Sequence, residues 1–211
     1  MDRPNIIICG TPGVGKSRLC QDLCQKCPEL RYININDIAQ EKSLYIEYDD
    51  DNECQVLDDE RVQDFLEEKY FRLKESGLVI DYHSAEIIPD DGQIQGIFVL
   101  RTDNDVLYYR LQQRNYSTKK IDQNIQSEIF QVCLDEANES FDQNIVHELR
   151  NNDEKDYQRN LEYLINWIQN WPSINTNDKP PQVSQSNGDE SSDTAMKKSP
   201  NLSNAKRQKT S

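Results

Sequence analysis

Short apolar runs alternate with amphipathic stretches along this chain. The runs Asn5–Cys9, Tyr32–Ile35, Leu78–Asp81, Gly96–Leu100 and Asn144–Glu148 have the length and residue types of buried strands. Between them the apolar spacing becomes helical. Ser17–Lys26 reads as a helix after a glycine turn. Val62, Phe65, Leu66 and Leu73 fit one amphipathic face, and Ile125, Ile129, Val132 and Cys133 fit another. Tyr157, Leu161, Leu164, Ile165 and Ile168 make a third. Thr102, with Asp105 three residues on, resembles a helix-capping box. Alternating strands and helices predict an α/β fold: a five-stranded parallel sheet with helices on both faces. The acidic stretch 47–60 reads as a solvated surface around a mobile loop. After Trp171 large apolar residues almost vanish, so 172–211 is expected to be a disordered polar tail beside a domain of residues 1–171.

Charge changes the picture next. The chain of 211 residues has a net charge of −14. Residues 1–171 hold 18 basic and 34 acidic side chains, a net −16, and the tail holds 6 and 4, a net +2. Such a domain is poorly suited to broad, direct nucleic-acid binding, where neutralising phosphates dominates affinity. It suits a basic protein partner, although acidity also serves plain solubility. No apolar run approaches the roughly 18 residues of a membrane span, and no secretory leader is visible, so residence in nucleus and cytoplasm is expected. The tail's Lys197-Lys198 and Lys206-Arg207-Gln208-Lys209 read either as a weak split nuclear-import signal or as ordinary solvated charge. The six cysteines are expected as reduced thiols. Cys24-x-x-Cys27 lacks a second ligand pair of the kind a zinc site needs.

Three of the seven glycines fall in one run, Gly10-Thr11-Pro12-Gly13-Val14-Gly15-Lys16-Ser17. It follows an apolar strand and opens a helix, the context that the G-x-x-x-x-G-K-[ST] phosphate loop requires. The loop N–H groups from Gly13, Val14, Gly15, Lys16 and Ser17, with the helix dipole, would cradle the phosphates of ATP. Lys16 would reach the β- and γ-phosphates, and the Ser17 hydroxyl would bind Mg²⁺. Asp81, ending the strand Leu78–Asp81, reads as the matching acid that would hold Mg²⁺ directly or through a water, or else as a turn or cap residue. His83, two residues on, either orients a water or acceptor hydroxyl near the γ-phosphate or is a structural strand-end histidine. Arg110 and Arg114 share a helix face and would stabilise a transferring phosphoryl group, or else they form a solvated basic helix end with Lys119 and Lys120 behind them.

Together these pieces resemble the adenylate kinase isoenzyme 6 family, nuclear adenylate kinase–ATPases associated with small-ribosomal-subunit maturation. The resemblance runs from about Pro4 to Trp171. It rests on the phosphate loop, Tyr32-Ile33-Asn34, Asp81-Tyr82-His83, Val99-Leu100-Arg101-Thr102-Asp103, Arg114-Asn115-Tyr116 and Asn124-Ile125-Gln126-x-Glu128-Ile129-Phe130. It implies a three-layer P-loop NTPase core of the nucleoside monophosphate kinase type. It also implies an acceptor-binding segment near 34–57, a short lid near 113–123, and ATP contacts from Gly13, Gly15, Lys16, Ser17 and Arg114; Arg18 stands where the family often has a hydroxyl residue, and its backbone N–H would still serve. The implied activities are phosphorylation of AMP or a related monophosphate and hydrolysis of ATP. The implied partners are a basic small-subunit ribosomal protein and the pre-ribosomal particle, during ribosomal RNA processing. Two departures stand out. Gln40 replaces a basic residue frequent in the family, and Pro89-Asp90-Asp91 replaces Pro-Glu-Arg, so weak monophosphate kinase activity is expected.

Overall fold

The apolar runs form strands buried on both faces, and that double burial sets the architecture. The computed structural model of the protein describes residues 3–50 and 54–171. The strands β1 (Ile6–Cys9), β2 (Arg31–Asn34), β5 (Leu78–Asp81), β6 (Gly96–Arg101) and β7 (Val146–Arg150) make one sheet in the order β2-β5-β1-β6-β7. Every neighbouring pair is parallel. Alternate residues along each strand serve opposite layers. Ile7, Cys9, Ile80 and Val99 pack under α2 (Ile35–Lys42), α3 (Asp59–Leu66) and α6 (Val132–Ser140). Ile6, Ile8, Phe98 and Leu100 pack under α1 (Lys16–Lys26), α4 (Asn104–Gln113), α5 (Thr118–Ile129) and α7 (Glu154–Gln169). The three layers and the parallel sheet match the expected fold.

Several local expectations are corrected. Residues 45–57 carry an antiparallel hairpin, β3 (Tyr45–Asp49) with β4 (Cys54–Leu57), where a loop was expected. The segment alternates weakly and is dense in carboxylates, so its strand signal is hidden; Tyr45 and Leu57 fasten it to the core. Leu73 is exposed rather than on the buried face. A π turn, Glu67–Phe71, shifts the helical phase after Leu66 and turns Tyr70 and Phe71 inward instead. The stretch from Ile125 to Cys133 is two helices. Gln131 adopts a left-handed φ of 57° between α5 and α6, and Ile129 and Val132 are exposed. Ile125 packs in one layer and Cys133 in the other, so no single helix face could hold both. Helix α4 starts after Asp103, and Thr102 is buried, donating its hydroxyl to the Asn151 carbonyl instead of capping. The last strand begins at Val146, two residues later than expected. The proposed tail, 172–211, lies outside the described residues.

Asn5 ties the entry of β1 to both of its neighbours. Its side-chain oxygen accepts from the Leu78 N–H at 2.9 Å, and its amide donates to the Glu75 and Gln93 carbonyls at 3.0 and 3.1 Å. Asn5 is almost wholly buried, so truncation strands several polar groups away from water. Asn5→Ala should lower unfolding stability by about 2–3 kcal/mol, read as a drop in the urea midpoint at unchanged slope.

Candidate active site

The chain reverses its sheet order beside β1, and the carboxyl ends of β1, β5 and β6 open into a cleft at that point, the usual position for a ligand in such sheets. A cavity of about 780 Å³ lies there. The phosphate loop forms its floor. Gly10 and Gly15 have φ of 130° and 107°, a backbone region that favours glycine. A Cβ on Gly15 would meet the Asn151 amide at 2.7 Å. Two buried side chains hold the loop from outside. The Thr11 hydroxyl donates to Glu128 at 2.5 Å, and the Asn151 amide donates to the Val14 carbonyl at 2.7 Å. The first N–H groups of α1, from Lys16 to Arg18, have no partner within the helix, as at any helix start.

Lys16 donates to the Gly10 and Thr11 carbonyls at 2.6 and 3.1 Å. Burial lowers its pKa, and the neighbouring Asp81 carboxylate works against that. Asp81 is buried at the end of β5, in register with Asn34 of β2. Its Oδ2 accepts from the Tyr32 hydroxyl at 2.8 Å and from the Asn34 amide at 2.9 Å. Burial pushes the Tyr32 pKa up, which keeps that hydroxyl a donor. Asp81 and Ser17 both line the cavity and offer oxygen donors, the ligand type a hard divalent cation takes.

The predicted site residues divide. Gly13, Gly15, Lys16, Ser17, Arg18, Asp81, His83 and Arg114 line the cavity. Val14 is buried behind the loop. The Arg18 guanidinium pairs with Glu154 at 2.9 Å and lies 3.8 Å over the Tyr157 ring, which leaves its backbone N–H as the group at the loop. Arg110 is the correction. It does not line the cavity. Its guanidinium, half-buried, donates to the Asn151 and Asn152 carbonyls at 3.0 and 2.7 Å, and more weakly to Thr102 and the Val14 carbonyl. Sharing a helix face with Arg114 did not bring it to the phosphates, because α4 turns that position toward the β7–α7 connection. Of the two lysines, Lys120 lines the cavity and lies 5.0 Å over the Tyr116 ring. Residues 113–123 comprise the end of α4, a turn and the start of α5.

The far wall falls in the segment 34–57 that the resemblance implied, but its individual residues were not named from the sequence. Asn36 of α2, with Tyr45, Gln55 and Leu57 of the hairpin, lines the half of the cavity away from the loop, and Glu136 of α6 joins them. Sequence reasoning missed Tyr32, Asn34, Asn151 and the Thr11–Glu128 bond as supports. These contacts cross the sheet, and only the strand register brings the partners together. Gln40 is exposed and Asp90 and Asp91 are exposed; none of them lines the cavity.

His83 stands exposed at the cavity mouth beside Tyr82. The enclosing walls, and secondly the Lys16 charge, lower its pKa from 6.5 to about 4. It is therefore neutral above about pH 5 and can accept a hydrogen bond. An NMR titration of the free protein should place the His83 midpoint near 4, and Lys16→Ala should raise it. A wild-type midpoint at or above 6.5 contradicts this. The two arginines should also separate. Arg110→Ala should lower stability by about 1–3 kcal/mol, whereas Arg114→Ala should leave the thermal midpoint nearly unchanged and lower kcat about a hundredfold or more.

A family profile described as an AAA domain matches residues 6–131. An adenylate kinase isoenzyme 6 homolog of Schizosaccharomyces pombe is 40% identical over 168 residues, covering 80% of this chain and 93% of that protein. A homolog of the same name from Drosophila melanogaster is 37% identical over 169 residues, covering 80% and 94%. In three dimensions, shikimate kinase from Bacteroides thetaiotaomicron aligns with a TM-score of 0.54 at 16% identity, over 79% of this chain and 98% of that one, a likeness of fold alone. Relatives of such identity, matched over 80% of the sequence and nearly all of their own, make this chain a member of the adenylate kinase isoenzyme 6 family.

Proposed function

We propose that the protein transfers the γ-phosphoryl group of Mg²⁺·ATP to AMP or a related nucleoside monophosphate, and also to water. The observation that carries this reading is the single cavity that joins the phosphate loop, Asp81, His83 and Arg114 to the separate wall of α2 and the hairpin. A two-substrate transfer needs such adjacent halves. The loop N–H groups and Lys16 hold the triphosphate, and the Arg114 and Lys120 charges face it from the lid. Ser17 and Asp81 hold Mg²⁺, and Tyr32 and Asn34 keep the Asp81 carboxylate aimed. Bound there, the ion supplies charge neutralisation at the β- and γ-oxygens. Neutral His83 orients the attacking water or hydroxyl by accepting its hydrogen bond, and no strong base is needed because positioning and charge supply most of the catalysis. Arg110 supports the loop from behind.

A second reading, an ATPase that serves ribosome assembly, has its own observations. Gln40, Asp90 and Asp91 lie outside the cavity. Among the described residues the cationic ones that line it are Lys16, Arg18, Arg114 and Lys120, all from the loop, α1 or the lid, and the Arg18 guanidinium is paired with Glu154. A monophosphate on the far wall therefore meets little charge, and water competes well as acceptor. The net −16 of residues 1–171 suits a basic small-subunit ribosomal protein, on a pre-ribosomal particle in nucleus or cytoplasm.

ADP formation from Mg²⁺·ATP should be measured with and without AMP, CMP and dAMP. Turnover should vanish in Lys16→Ala and fall at least tenfold in His83→Ala. Full activity in Lys16→Ala would refute the site. A large rise with a monophosphate supports the kinase reading, and indifference to monophosphate supports the ATPase reading. ATP-dependent retention of a ribosomal protein from extract supports the assembly role; no retention in either nucleotide state argues against it.

A further inference from the structure

Thr11 carries the sole polar side chain between Gly10 and Gly15, so it is the one side-chain handle by which the rest of the molecule can grip that part of the loop. Its grip is a buried carboxylate on the lid helix. Glu128, in the last turn of α5, is 3% exposed. Its Oε2 accepts from the Thr11 hydroxyl at 2.5 Å. Its Oε1 accepts from Arg101 Nε at 2.7 Å and from the Thr102 N–H at 3.0 Å. Arg101 Nη2 also donates to the Glu128 carbonyl at 2.9 Å. The carboxylate is thus charge-paired and bonded on both oxygens, the condition under which a buried acid is a rigid connector.

The same helix reaches the other side of the site. Lys120, Gln123, Asn124 and Ser127 line the cavity from the turns that precede Glu128. A helix is stiff over this distance, so the orientation of the cavity-facing turns and the position of Glu128 are set together.

We propose that Glu128 is a positioning residue that couples the lid helix α5 to the phosphate loop through Thr11. The proposal rests on the reading that the loop binds ATP. With the bond in place, any tilt of α5 that brings Lys120 toward the phosphates also draws on Thr11 and sets the loop. Without it, the Arg101–Glu128 pair still satisfies the buried charge, but the loop and lid settle independently. Glu128 touches no substrate in this scheme and acts only through Thr11.

The test isolates that link. Thr11→Val keeps the shape of the side chain and the Arg101–Glu128 pair, and removes the hydroxyl with its bond to Glu128 and its lesser contact with the Cys133 thiol. It should weaken binding of a fluorescent ATP analogue about tenfold, the worth of one charge-assisted hydrogen bond, and raise KM for ATP similarly while kcat changes less than about threefold. Thr11→Ser, which restores the hydroxyl, should return both to within about twofold. A double-mutant cycle with Lys120→Ala should show coupling of about threefold or more in ATP affinity. Thr11→Ala, a second variant that lacks the hydroxyl and leaves the Arg101–Glu128 pair in place, should shift affinity in the same direction should Thr11→Val fold poorly. The proposal is overturned if Thr11→Val binds the analogue as wild type does, if Thr11→Ser fails to rescue, or if the cycle is additive. Wild-type protein that does not bind the analogue removes the ATP reading itself, and this proposal with it; wild-type binding with an additive cycle removes this proposal alone.

Discussion

The close approach of β1 and β6 governs the site. A methyl group at Gly10 would lie 2.4 Å from the Leu100 carbonyl oxygen, far inside contact distance. Only a residue without a Cβ can leave the strand there, and it leaves with a φ of 130°, outside the range other residues favour. The chain then has a few residues in which to turn from the sheet into α1. That confined turn curls the backbone around a phosphate-sized hollow. Everything else at the site holds or charges this turn.

The holding groups come from distant parts of the chain and act on different atoms. Asn151 and Arg110 take the Val14 carbonyl from behind, and Glu128 takes the Thr11 hydroxyl from the lid side. Each of these side chains is itself tied down. Asn151 donates its N–H to the Arg101 carbonyl at 2.7 Å, and Glu128 is bound by Arg101. Arg101, at the end of β6, is thus a shared footing for both supports. Buried polar networks of this kind have large penalties when half-satisfied, so they favour one loop geometry over many.

Charge is distributed with the same economy. A domain of net −16 surrounds a cavity whose cations sit on the donor side. Lys16, Arg114 and Lys120 put positive charge at the loop and the lid, whereas the hairpin wall presents Tyr45, Gln55 and Leu57, with Glu136 nearby. The histidine at the mouth stays neutral because the cleft walls and Lys16 disfavour its charged form. One cavity therefore carries its positive charge at one end and offers a weakly charged surface at the other.

The strands, the phosphate loop, Asp81 and the family were legible from the sequence, because each rests on local chemistry: apolar runs, glycine spacing, an acid after a buried strand. Boundaries slipped by a residue or two, and β7 by two, since strand ends depend on pairing rather than on local pattern. The hairpin was hidden by its carboxylates. Leu73 and the stretch 125–133 were misjudged because a π turn and a left-handed Gln131 reset the helical phase, and neither has a signal in apolar spacing. Arg110 and Arg114 looked equivalent at four residues apart, yet one braces a loop and the other faces the cavity. Local sequence determined what the loop is and what it can bind. Tertiary structure decided which side chains reach it, because Glu128, Asn151 and Tyr32 lie far away along the chain and meet the site only through sheet register and helix packing.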